Sequence, residues 1–287
     1  PLSETVSAHK SSLYRAAQAI YQNTFTGEND KYEEETVVRA QLRWEPSDSL
    51  SVNLKVEHSE FDDRGRNVEI DQSIVREDLP AGVGIDHISA VDQAVFAGNN
   101  LLGLDPIIPY SGIDGNLDRI RGGNTDYHTN EVDAAVLSVD WDLNGFTLSS
   151  TTGYLDYAYT QDCDCDFSSA LIFQAIGNEE FEQFSQEIRL TSPCGETVDY
   201  VLGAYFQTNE LSFNDAIDVP EASLLRVLSP AYSNVRTRRF AEQESDTWAA
   251  FAQFTWNINE QTRLIVGGRY TEEDKEASKR QQHFLGP

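Results

Sequence analysis

The residues best equipped for chemistry in this chain are the run Gln161-Asp162-Cys163-Asp164-Cys165-Asp166. In an extended backbone Asp162, Asp164 and Asp166 fall on one side and the two cysteines on the other. Three carboxylates on one side suit a hard cation such as Ca²⁺. The helix–loop–helix calcium pattern is not met, because Phe167 stands where a glycine is needed and Phe173 where the closing Glu belongs. A plain acidic loop tip competes with the cation reading, and no metal is assigned. A bridge between Cys163 and Cys165 would be strained.

A second group mixes aromatic and cationic side chains: Tyr110, Arg119, Arg121, Tyr127 and His128. Such a mixture suits an anionic, aromatic ligand, since guanidinium groups pair with anions and stack on rings. Ordinary loop packing is the alternative for each of them. His58, His87 and His128 lack metal-ligand spacing. Arg121-Gly122-Gly123-Asn124 lacks the strand-to-helix context of a phosphate loop. No nucleophile stands beside a base. The expectation is a binding protein with no cofactor, not an enzyme.

Four pairs of alternating segments must position these residues: 37–45 with 50–58, 132–141 with 146–155, 183–192 with 198–207, and 247–256 with 262–271. In the first, Val38, Ala40, Leu42 and Trp44 alternate with Arg39, Gln41 and Arg43. A period of two is the mark of a strand with one apolar and one polar face. Within pairs the connections are short, at 46–49, 142–145, 193–197 and 257–261. Between pairs they are long, over 59–131, 158–181 and 208–246. Residues 86–97 place Ile88, Val91, Val95 and Phe96 at helical spacing, which predicts a short helix inside the longest connection. Residues 1–35 form a lead-in, with a strand or loop expected over Tyr14 to Phe25, and 36–287 form one domain.

Composition narrows the classes. The net charge of −27 excludes nucleic acid, whose phosphates require clustered Lys and Arg. Mean hydropathy is −0.47 and no apolar run is long enough for a membrane-spanning helix. A β-barrel can still cross a bilayer, because only alternate residues face lipid. The chain holds no Met and opens at Pro1 with no leader visible, which reads as an interior piece of a longer protein.

A soluble sandwich shows the same alternation. The tryptophans separate the two. Trp44, Trp141 and Trp256 each sit just before a short turn on the apolar face, where a membrane interface stabilises an amphipathic ring. Trp248 lies on the same face as Trp256, about 26 Å along the strand at roughly 3.3 Å per residue, near the height of a barrel's apolar band. The fold class expected is therefore all-β, an antiparallel transmembrane β-barrel segment of about eight or more strands with short periplasmic turns and long extracellular loops.

Three runs carry a resemblance: ETVVRAQLRWEPSDSLSVNLKVEHSEFDDRG (35–65), FEQFSQEIRLTSPCGETVDYVLGAYF (181–206) and WAAFAQFTWNINEQTRLIVGGRYTEEDK (248–275). They resemble TonB-dependent receptors of the bacterial outer membrane. The resemblance implies a plugged barrel of roughly 22 strands. It also implies uptake of a scarce nutrient, most often a ferric siderophore, driven by the TonB complex through a plug not present in this sequence. Outer-membrane lipid is the implied surrounding. A non-transporting small barrel or adhesin and a soluble β-sandwich binding module remain as alternatives.

Overall fold

The computed structural model describes residues 5–17, 21–23, 27–30, 32–65, 119–121, 126–164, 174–195, 197–219, 223, 226 and 235–284. Twelve strands appear among them: β1 (Val6–Ala17), β2 (Tyr21–Asn23), β3 (Asn29–Asp30), β4 (Tyr32–Ser47), β5 (Leu50–Arg64), β6 (Ile120–Arg121), β7 (Tyr127–Leu143), β8 (Phe146–Asp164), β9 (Gln174–Thr191), β10 (Val198–Asp218), β11 (Arg236–Asn259) and β12 (Thr262–Phe284). Nine of these form one sheet in the order β1-β4-β5-β7-β8-β9-β10-β11-β12, every neighbouring pair antiparallel. The sheet is open, with β1 and β12 at its edges. A small second sheet has the order β3-β2-β6.

All four predicted hairpins are present, joined by tight turns along one edge. Asn144 and Gly145 both take positive φ, 58° and 90°, between β7 and β8. That is the backbone a two-residue hairpin turn requires, and the Asp142 carboxylate accepts from the Gly145 N–H at 3.0 Å. The opposite edge carries the longer connections.

The strands run much farther from the turns than the alternation indicated. β11 continues from Trp248 back to Arg236, and β12 from Tyr270 on to Phe284. The ends of what read as long loop are therefore strand: 59–64 and 127–131 in the first connection, 158–164 and 174–181 in the second, and 208–218 and 236–246 in the third. Polar residues occupy both faces there, so the period-two signal vanishes although backbone pairing continues. The lead-in also differs: a strand spans Val6–Ala17 and pairs with β4 from Val6↔Trp44 to Ala17↔Glu33, whereas Tyr21–Asn23 joins the small sheet. The helix expected over 86–97 lies outside the described residues.

One face of the large sheet is apolar near the turns, and no described residue covers it. Leu42, Trp44, Leu54, Trp141, Ile188, Leu202, Trp248, Phe254 and Trp256 are all exposed. Among the described residues only Cys163, Val219 and Ala249 are buried hydrophobics. A sandwich would bury this face under a second layer, so the sandwich alternative fails. Aromatic rings line the turn side of the band, with Phe146, Tyr200 and Phe254 in a chain of centroid separations of 6.4 and 6.2 Å. Phe206 meets Trp248 at 4.4 Å on its far side.

Candidate ligand-contacting region at the loop edge

Those sequence-predicted site residues that the structure describes lie at the loop edge, and only some of them meet. Tyr127 opens β7, with Arg64 and Asp162 as its cross-strand partners. His128 follows, between Asp63 and Gln161. Its Nε2 is 3.0 Å from the Asp63 carboxylate. Asp63 is buried, and its other oxygen has no hydrogen-bond partner among the described residues. The chain is clamped alongside, where the Gly65 N–H donates to the Asp126 carbonyl at 3.0 Å.

Asp162 and Asp164 lie in β8, not at a loop tip, and share one side of the strand as an extended backbone dictates. Asp162 accepts from the Gln174 side chain at 2.5 Å, and Asp164 is buried opposite Gln174. Cys163, on the other side, is buried and disulfide-bonded, whereas Cys194 is free and exposed in the β9–β10 turn. Asp166 and Tyr110 lie outside the described residues. Arg121 belongs to the small sheet, where it pairs with Asn23, and Arg119 stands just before β6 with a φ of 69°, its carbonyl accepting from the Gln22 N–H at 2.9 Å. Tyr127 and Asp162 thus stand side by side on one face of the sheet, His128 turns to the other face beside Asp63, and the two arginines stand apart at β6.

The polar face of the large sheet is laced with charge. Arg39 meets Glu57 at 2.6 Å, Lys55 meets the same carboxylate at 3.2 Å, and Arg189 meets Glu187 at 2.5 Å. On one rung Arg189, Gly203, Phe251 and Arg269 stand side by side. The two guanidinium groups flank the Phe251 ring at 6.0 and 5.7 Å, within cation–π reach. The ring lies over Gly203, where an added Cβ would meet it at 2.1 Å. Only glycine admits that stacking.

Two features were missed in the sequence. Asp218, Arg226, Arg236 and Arg238 line a pocket of about 380 Å³ at the loop edge of β10 and β11. Arg236 is held by Asp218 at 2.5 Å and Arg226 by the Val219 carbonyl. The run Arg236-Thr237-Arg238-Arg239 was its available signal in so acidic a chain. The other is a network beyond the apolar band: Tyr14 donates to Glu34 at 2.7 Å and Tyr32 donates to its second oxygen. That bond pushes the Tyr32 phenol up to about 12, and the two phenols hold the Glu34 carboxyl below its usual range.

A family model described as TonB dependent receptor-like, beta-barrel matches residues 78–286. The chain belongs to the TonB-dependent receptor β-barrel family. No curated protein matches it. Among solved structures it is similar to the ferric yersiniabactin uptake receptor FyuA from Yersinia pestis, at 16% identity and a TM-score of 0.63, covering 100% of this chain and 37% of that one. The FpvAI–pyocin S2 complex gives 10% identity and 0.62, covering 100% and 35%. The ferric-catecholate import receptor Fiu from E. coli K12 gives 12% identity and 0.55, covering 96% and 41%. At these identities the likeness is one of fold.

This chain therefore spans well under half the length of the receptors it resembles. The open sheet has the same meaning: nine strands make a segment of such a barrel, and the unpaired backbone of β1 and β12 needs neighbours before the sheet can sit in lipid. Barrels of this family reside in the bacterial outer membrane and bind small molecules.

Proposed function

We propose that the chain is a barrel segment of an outer-membrane active-transport receptor that takes up a ferric siderophore, powered by the TonB complex through a plug domain. The observation that carries the reading is the asymmetry of the sheet. Tight turns close one edge, an apolar band that no described residue covers lies next to them, and charged strands project to a loop edge that carries both acidic and cationic groups. A rigid scaffold with variable loops is where binding groups can change without disturbing the barrel. The apolar band meets lipid, the polar face meets the plug, and ligand contacts come from Tyr127 and His128 together with Tyr110, Arg119 and Arg121. FyuA and Fiu, whose names record ferric yersiniabactin uptake and ferric-catecholate import, support iron chelates as the substrate class.

The test uses the full-length receptor and radioactive iron loaded onto catecholate and hydroxamate siderophores. Deleting residues 100–118 is expected to abolish uptake while heat-modifiable migration in detergent shows the barrel assembled. Uptake that survives the deletion would move recognition away from this loop. A full-length receptor that imports neither class of chelate would remove the siderophore assignment.

A further inference from the structure

The register of β5 and β7 builds a square of metal-ligating groups just beyond the apolar band. His58 lies directly opposite Asp133, and Glu60 directly opposite Glu131. Within each strand the two residues are two apart, so all four side chains stand on one face. His58 Nδ1 is 2.8 Å from Asp133 Oδ1, and its Nε2 is 3.4 Å from Glu60 Oε1. Ligand atoms of His58, Glu60 and Glu131 lie within 4.8 Å of one another.

Three independent features favour a cation here. Two glutamates directly opposite each other in a sheet repel, and no lysine or arginine is paired with either among the described residues. Asp133 anchors Nδ1 and turns Nε2 toward the glutamates, the arrangement by which a carboxylate fixes the tautomer and raises the basicity of a metal-binding imidazole. The surroundings also change polarity at this point. Below the imidazole lies a pocket of about 390 Å³ lined by Val38, Ala40, Val56, Ala135 and Tyr154. Above it an acidic pocket of about 400 Å³ is lined by Glu34, Thr36, Glu60, Asp62, Thr129 and Glu131. A largely apolar floor, with Glu57 the one charged group in it besides His58 and Asp133, lowers the dielectric under the donors, which favours coordination.

We propose that His58, Glu60 and Glu131 bind a divalent transition metal of the zinc class, with Asp133 as the residue that positions His58. One imidazole with carboxylates suits that class better than Ca²⁺ or Mg²⁺, which take oxygen ligands alone. The ion staples β5 to β7 at the base of the excursion between them, the stretch 65–126. The chemistry is coordination only, and no bond to carbon or oxygen changes.

The test is titration of the full-length receptor in detergent with Zn²⁺ alone, followed by calorimetry, and with Co²⁺ followed by its visible absorption. The wild type is expected to bind one equivalent more than His58→Asn or Glu131→Gln. Both variants should keep heat-modifiable migration, and the Co²⁺ band of the nitrogen-containing site should disappear in His58→Asn. Asp133→Asn should keep the site but weaken it about 10–100-fold. Equal stoichiometry and an unchanged Co²⁺ spectrum in His58→Asn would overturn the proposal. So would a variant set that loses no equivalent while Zn²⁺ still binds elsewhere on this acidic protein. If a variant fails to assemble, Glu60→Gln in the same measurement decides, because it leaves His58 and Asp133 paired.

Discussion

The two halves of the same strands obey different rules. Near the turns, the rung Trp44–Val52–Val139–Ser150–Ile188–Ala204–Ala250–Tyr270 presents an apolar row across eight strands, broken only by Ser150. Six residues farther along, on the same face, the rung reads Val38–His58–Asp133–Asp156–Glu182–Glu210–Glu244–Glu276. Six carboxylates in consecutive cross-strand positions cannot face hydrocarbon, where an ionised group is strongly disfavoured. One sheet therefore serves two solvents. Backbone pairing is indifferent to the change because the ladder is satisfied in both, and side chains alone mark where lipid ends and water begins.

That boundary can be broken most severely from the lipid side. Ala252 lies midway between Trp248 and Trp256 on the apolar face. Ala252→Arg should destabilise the full-length barrel in bilayers by about 2–4 kcal/mol, read from reversible denaturant unfolding. A cost near zero would mean that this face meets water.

The polar face near the turns gives a somewhat smaller effect of a different origin. Gly203→Val places carbon where the Phe251 ring now lies. The ring must leave its seat between Arg189 and Arg269, at a cost of about 1–3 kcal/mol from overpacking. The same unfolding experiment reads it, and Phe251→Ala beside Gly203→Val should recover part of the loss if the clash is its source.

The acidic rung should respond least and with the opposite sign. Glu210 stands between Glu182 and Glu244, so Glu210→Gln relieves two like-charge neighbours. It is expected to stabilise by about 0.2–1 kcal/mol, and less as salt screens the exposed row. Destabilisation instead would show that cations bridge the row and contribute more than the repulsion costs.

How far the sequence reveals this protein follows from where alternation survives. In the turn-side half the apolar and polar faces differ, so period two exposes the strands, their pairing and the membrane-facing tryptophans. Asn144-Gly145 announces its own turn, because few residues tolerate positive φ at two successive positions. Beyond the apolar band both faces are wet, the pattern fades, and strands such as Arg236–Thr247 pass for loop. β1 is hidden for a different reason: it lies alongside the band but places Lys10 and Ser12 on its apolar face, opposite Ala40 and Val38.

The candidate sites divide along the same line. Period two in the sequence alone already put Asp162 and Asp164 on one side of an extended backbone. It did not reveal that Gln174 takes up Asp162, or that Asp63 seizes His128, since both contacts depend on where one strand lies against another. His58 and Glu60, two residues apart, and Glu131 and Asp133, two residues apart, are ordinary acidic-strand spacings. They become a set of ligands only because β7, arriving from beyond residue 126, pairs with β5 in one register out of many. Sequence determined which face each residue takes, since that follows from backbone geometry. The tertiary structure decided which residues meet, because register across a long excursion is fixed by the whole sheet.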